Sequence, residues 1–228
     1  MALVIDVNTS KAVTTAATSV TSNSFTTGSG NELLVVLCSS ADNTGLAISG
    51  AGLSWNILIN QPGAASDNAY IFYAWASSIL TTQTVKIQGT NSQQWQMTLL
   101  SFTGADATSG NGTSAIGVNN STQGSSGAQA SINLTTTRNN SWVFGSVGYG
   151  ANVTLVAGTG QTILTQNPDT VNGGKQATIE HNAVTATSGT VVTTNTTNTT
   201  AAWAIAAVEV LPTSTAQYYS SLATLGAG

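Results

Sequence analysis

Two tryptophan-led segments constrain this chain more than any other feature: Trp95 to Gly104, WQMTLLSFTG, and Trp203 to Pro212, WAIAAVEVLP. Each follows a tract of Thr, Asn or Gln, is dense in bulky apolar residues, and stops at a turn former, Gly104 or Pro212. A strand that returns with the same start, character and stop implies that the whole unit around it is duplicated.

The remainder of the chain repeats in step. Leu3 to Ser10, LVIDVNTS, is echoed by Ser114 to Ser121, SAIGVNNS. Asn23 to Leu37 aligns with Ile132 to Ser146, placing Phe25 on Leu134 and the aliphatic run LLVVL on WVFGS. Gly50 to Leu58 matches Gly158 to Gln166 through a Gly-x-Gly turn, Tyr70 to Ala76 matches Ala177 to Val184, and Thr84 to Ile87 matches Thr190 to Thr193. A period this long fits neither a solenoid nor a propeller blade. The half-repeats run over about 1–106 and 107–213, followed by a C-terminal tail or arm, 214–228.

Each half reads as about five short strands rich in Val, Ile, Thr, Tyr, Phe and Trp, divided by Gly, Asn, Ser and Pro turns, with no sustained helical period. The sequence therefore predicts an all-β protein. The favoured architecture is a single two-sheet sandwich, of jelly-roll or related topology, with its halves placed by a pseudo-two-fold axis. Alternation adds a constraint. Trp95, Met97 and Leu99 point to one side of their strand and Leu100 and Phe102 to the other; Trp203, Ile205 and Ala207 likewise oppose Val208 and Val210. Strands apolar on both sides are central and covered on both faces, or contain a bulge, and a partner molecule is one way to supply the second cover.

Charge excludes several functions. Only 5% of residues are charged, the net charge is −4, and the basic residues Lys11, Lys86, Arg138 and Lys175 stand singly. Such a chain offers no patch for a phosphate backbone or an anionic bilayer, and no apolar run approaches the ~20 residues of a membrane span. Neither nucleic acid nor membrane is an expected partner. The start MALVIDVNTSKAV lacks the basic and apolar regions of a secretory signal. Cys38, within LLVVLC, reads as a small buried hydrophobe.

Catalytic chemistry has little to build on. His181 is the only histidine and follows Glu180 on a strand where neighbours face opposite ways. Glycoside hydrolysis needs two carboxylates about 5–10 Å apart. Asp6, Glu32, Asp42, Asp67, Asp106, Asp169, Glu180 and Glu209 are dispersed, most of them in turns. Glu209, on the side of Trp203 and Ile205, reads as a strand-end acid reaching solvent. SADNTG around Asp42 and GADATSGNG from Gly104 offer oxygen ligands without Asp-x-Asp spacing, and no Gly-rich turn completes a phosphate-binding motif. No catalytic, cofactor-binding or metal-binding residue is assigned.

Two groups are candidates for interaction. Tyr70, Phe72, Tyr73 and Trp75 lie in YIFYAWA, where alternation buries one set and leaves the other as a candidate platform for a sugar ring. Beyond Pro212, Tyr218, Tyr219, Leu222 and Leu225 recur at three- and four-residue spacing, the pattern of one face of a short helix. Such an arm either folds over its own sandwich or docks on a neighbouring subunit.

Taken together, MALVIDVNTS, NELLVVL, GAGLSW, LLSFTGAD, GTGQT and AAWAIAAVEVLP resemble a family of small β-sandwich proteins encoded in tailed-phage genomes and found as modules of bacterial extracellular proteins. The resemblance extends to about Thr213, and its motifs are structural, so it carries no catalytic residue. It implies a non-enzymatic virion protein, either a capsid decoration (cement) protein or a fibre or tail accessory protein, made in the host cytoplasm. Its partners would be copies of itself, a major capsid protein or a tail protein. The alternatives are a carbohydrate-binding or adhesion module, virion-borne or extracellular and recognising a surface glycan, and then a glycan-active enzyme.

Overall fold

The computed structural model describes residues 2–64, 67–184, 189–196 and 199–214. The first half supplies β1 (Val4–Thr21), β2 (Glu32–Ser40), β3 (Ala47–Gly50), β4 (Asn56–Gln61), β5 (Asn68–Ala76) and β6 (Val85–Thr103). The second supplies β7 (Ile116–Gly127), β8 (Gln129–Thr135), β9 (Ser141–Tyr149), β10 (Leu155–Ala157), β11 (Gln161–Asp169), β12 (Gly174–Val184), β13 (Gly189–Thr196) and β14 (Ala201–Val210). One 3-10 turn, Thr113–Ala115, lies between the halves. All strand pairing is antiparallel.

The duplication holds at the level of individual residue pairs. The first half forms a sheet in the order β1-β6-β2-β5-β4, with β3 added to the far end of β6. The second half repeats this order as β7-β14-β9-β12-β11, and sets β10-β13-β8 apart as a three-stranded sheet. Trp95 lies opposite Ser40 on β2, and Trp203 lies opposite Tyr149 at the matching place on β9. The bulge between Ile57 and Ile59 recurs between Ile163 and Thr165. Turns entering β2 and β9 each place an asparagine in the left-handed region, Asn31 at φ 58° and Asn140 at φ 61°. Asparagine tolerates this geometry because its short polar side chain bonds locally.

One sequence alignment shifts by two residues. The ladder equates Ile57 with Ile163, opposite Phe72 and Ile179, whereas the Gly-x-Gly turns pair Ile57 with Thr165. Inward and outward faces survive because the slip is even. Strand lengths also depart from expectation. The segment expected at Thr84 to Ile87 and the Trp95 run join in one continuous strand, β6, of 19 residues that begins at Val85. Asn91 donates to Asp42 and Thr90 N–H to Thr44 O, so GTN is paired within the strand rather than released as a loop.

The two main sheets pack face to face, as a sandwich requires. Leu33, Val35, Leu37, Ile71, Tyr73, Leu100 and Phe102 of the first meet Phe144, Ala204, Ala206, Val208 and Val210 of the second. Phe102 and Phe144 lie 5.1 Å apart between ring centroids, tilted at 60°. The other end of the same interface is polar. Thr98 Oγ1 meets Thr178 Oγ1 at 2.7 Å, Ser146 Oγ donates to Cys38 O at 2.6 Å, and Asn167 donates to Gln96 Oε1 at 3.0 Å.

The second cover of each main sheet comes from the chain itself. Trp95, Met97, Leu99, Tyr70, Phe72 and Cys38 join Val20, Phe25, Val85 and Ile87 in a core beneath β3 and the outer reaches of β1 and β6. Ile205, Ala207, Val147, Tyr149 and Ile179 join Ala130, Ile132 and Leu134 beneath β8. Three apolar cores thus alternate with β layers, which explains why the tryptophan strands are apolar on both sides.

Close approach at the polar end depends on glycine. A Cβ on Gly148 of β9 would run into the backbone oxygen of Asp67, and its nearest side-chain neighbour would be Asp67 Cβ at 2.7 Å. Gly148→Ala is expected to cost about 1–3 kcal/mol as the halves are forced apart there. Urea unfolding would measure this, and an unchanged midpoint would show that the contact yields freely.

Candidate functional site

The aromatic strand β5 is spent on packing. Tyr70 and Phe72 are 0% exposed in the first-half core, and the Tyr70 hydroxyl donates to Asp42 O. Tyr73 is 8% exposed, and with half-buried Trp75 it faces the second half. Both sides of the strand are covered, so these rings build cores and present no open stacking face. Tyr218, Tyr219, Leu222 and Leu225 lie outside the described residues.

The dispersed acids prove to be turn locks. Asp42 accepts from Thr44 N and Oγ1 at 3.0 and 2.9 Å and from Asn91 N and Nδ2 at 2.6 and 3.1 Å. Burial pushes its carboxyl up, but these bonds outweigh burial and hold it below the usual range. Asp106 accepts from Thr108 N and Oγ1 and forms an ion pair with Arg138 Nη1 at 2.7 Å. Here too burial raises the carboxyl, and the bonds from Thr108 and Arg138 with the guanidinium charge bring it below the ordinary value. Both loops read as oxygen-rich calcium candidates have thus turned their carboxylates on their own backbones. Among the described residues, no three His, Cys, Asp or Glu side chains gather as a metal site would require.

Glu209 corrects the sequence reading. It is 0% exposed, not a strand-end acid reaching solvent. Its carboxylate accepts from Val118 N at 3.2 Å, Thr137 N at 2.8 Å, Thr137 Oγ1 at 2.9 Å and Arg138 N at 3.2 Å. Four donors satisfy a buried charge that would otherwise be costly. A Cβ on Gly117 would collide with that carboxylate, so the absence of a side chain makes its room.

The first half solves the same problem with different residues. Asp6, at the position of Gly117, accepts from Gly28 N at 2.6 Å. Ser101, at the position of Glu209, accepts from Val7 N at 3.1 Å. One half uses Asp plus Ser and the other Gly plus Glu to bind one turn and one edge strand. Sequence reading missed this exchange because each residue alone looks unremarkable. Aligning the two halves column by column, and asking which acid lacks a counterpart, is the signal that exposes it.

Arg138 organises the junction where the linker between halves meets the end of the last strand. Its Nη1 donates to Asp106 Oδ2 and to Pro212 O at 2.5 Å. Ala105 forms a bridge with Pro212, Thr213 N–H donates to Gly104 O at 2.9 Å, and Leu211 N–H to Ala115 O at 2.8 Å. The end of the last strand is therefore pinned, with Thr213 and Ser214 exposed.

Glu180 and His181 occupy neighbouring positions on β12 and are each half-buried, with burial raising the Glu180 carboxyl. His181 pairs with Gln161 and Val143 across the ladder, and its ring comes within 3.7 Å of a Cβ built on Gly160. No family model, curated protein or solved structure matches the chain.

Proposed function

We propose that the protein is a non-enzymatic structural component of a virion, a capsid decoration protein or a fibre or tail accessory protein. The observation that carries this reading is that the groups on which chemistry or sugar stacking would depend are consumed by the fold. Asp42, Asp106, Asp169 and Glu209 tie backbone N–H groups, and the β5 aromatics fill cores. What faces outward is largely Thr, Ser, Asn and Gly with few charges, a surface that presents shape rather than reactive groups. The motif resemblance to small phage-encoded sandwiches points the same way. Partners on this reading are further copies of the chain, a major capsid protein or a tail protein.

The decisive experiment is mass spectrometry of purified particles, in which this chain is expected in stoichiometric ratio to a major capsid or tail protein. Its absence from particles would reject the reading. The pinned strand end at Pro212 gives a second expectation. Deletion after Thr213 should leave the melting temperature nearly unchanged while lowering the mass of assemblies seen by light scattering, or the occupancy on particles. A large loss of melting temperature with unchanged association would mean that the tail serves its own fold.

A further inference from the structure

Two carboxyl groups from opposite halves meet at the polar end of the central interface. Asp67 precedes β5, Asp169 ends β11, and they are 1% and 0% exposed. Their proximity is fixed by backbone. Gly174 pairs with Asp169 in the β11–β12 ladder, and a Cβ on Gly174 would stand 2.7 Å from Asp67 Oδ2.

The donors around them are unevenly shared. Asp169 Oδ1 accepts from Val171 N at 2.9 Å and Asn172 N at 3.1 Å, and Oδ2 from Asn172 Nδ2 at 2.8 Å. Asp67 Oδ1 accepts from Gln176 Nε2 at 3.0 Å, and the buried carboxyl of Asp169 beside it acts on Asp67 as a like charge. A carboxyl–carboxyl bond needs one proton, because two anions in contact repel and neither can donate. With three N–H groups already aimed at Asp169, it takes the acceptor role and Asp67 the donor.

We propose that a proton held between Asp67 and Asp169 latches the first half to the β11–β12 turn of the second, and that this end of the interface loosens when the proton is lost. The groups around Asp67 include Cys38 on β2, Tyr70 on β5, Gln94 on β6, and Gly148 and Tyr149 on β9; on β12 the Lys175 Nζ donates to Asn152 Oδ1 at 3.5 Å. Burial pushes both the Cys38 thiol and the Tyr70 phenol upward, with Asp67's charge adding to each, so neither relieves the pair.

The direction of the effect follows from linkage. Burial first, then the charge of Asp169, raises the Asp67 carboxyl well above its ordinary value, against a smaller lowering by Gln176. A raised acid contributes stability that is fully present below the unfolded value of about 3.9 and is lost as pH rises through the folded value. Asp42 and Asp106, held low, act oppositely and weaken the fold on acidification.

The test compares the full chain with Asp67→Asn, whose amide donates to Asp169 at every pH. Melting temperature should fall more steeply for the parent chain than for D67N as pH rises from about 5 to about 9, D67N keeping only the smaller slope that Glu180, also raised by burial, contributes to both, with the acid limb unchanged. Protection of the amides of residues 170–173, that is, exchange corrected for its intrinsic base-catalysed rise, should fall about tenfold or more over the same range in the parent alone. Equal pH slopes in the two proteins would overturn the latch. Carboxyl-carbon NMR of the unaltered chain gives an independent reading: Asp67 titrating at an ordinary carboxylate pH would overturn it whether or not D67N folds.

Discussion

Trp95→Ala is expected to destabilise the protein by about 3–5 kcal/mol, the range for removing a fully buried large aromatic. The indole is 0% exposed, and its Nε1 donates to Ala17 O at 2.8 Å, where β1 passes from the main sheet toward the outer layer. Truncation opens a large cavity in the first-half core and leaves that carbonyl without its donor. For a chain of this size the melting temperature should drop by on the order of 10 °C. Trp203, at the matching ladder position, is only half-buried and lies against the bare backbone of Gly124 and Gly127. Trp203→Ala should therefore cost about 2 kcal/mol, nearer the transfer term alone. Equal losses at the two sites would mean that the repeat's topology, not local burial, sets the contribution of each tryptophan.

Glu209→Ala should be nearly as damaging, with an expected loss of about 3 kcal/mol, because the backbone N–H groups of Val118, Thr137 and Arg138 lose their shared acceptor. A rescue follows from the other half's solution. Glu209→Ser alone should remain destabilised, since a serine reaches the Val118 amide but not the turn at 137–138. Adding Gly117→Asp reproduces the Asp6 and Ser101 pair and should recover at least half of the loss. Urea unfolding of the single and double variants reads the coupling directly. Strict additivity of the two substitutions would show that the halves do not share this exchange.

Much of the architecture was legible because it depends on side-chain alternation and on repetition. The two-sided apolar pattern of Trp95 to Phe102 called for cover on both faces, and the structure places an apolar core on each. Equivalence of Trp95 and Trp203 followed from their shared context and is reproduced in the ladder. Cys38 lies in the apolar interior, as its run LLVVLC implied. Less could be read about the candidate site. Alternation sorted Tyr70 and Phe72 from Tyr73 and Trp75, but the pattern cannot say whether the second set meets solvent or another sheet. Here it meets the second half.

The sequence by itself determined that the chain is an all-β duplication and which residues share a strand face, since both are properties of neighbours along the chain. Only the tertiary structure decided what each face meets. It made the chain its own second cover, exchanged Asp6 and Ser101 for Gly117 and Glu209, and brought Asp67 to Asp169. Those outcomes depend on contacts between residues far apart in sequence, where a single acid or glycine looks the same whether its partner is water or a buried amide.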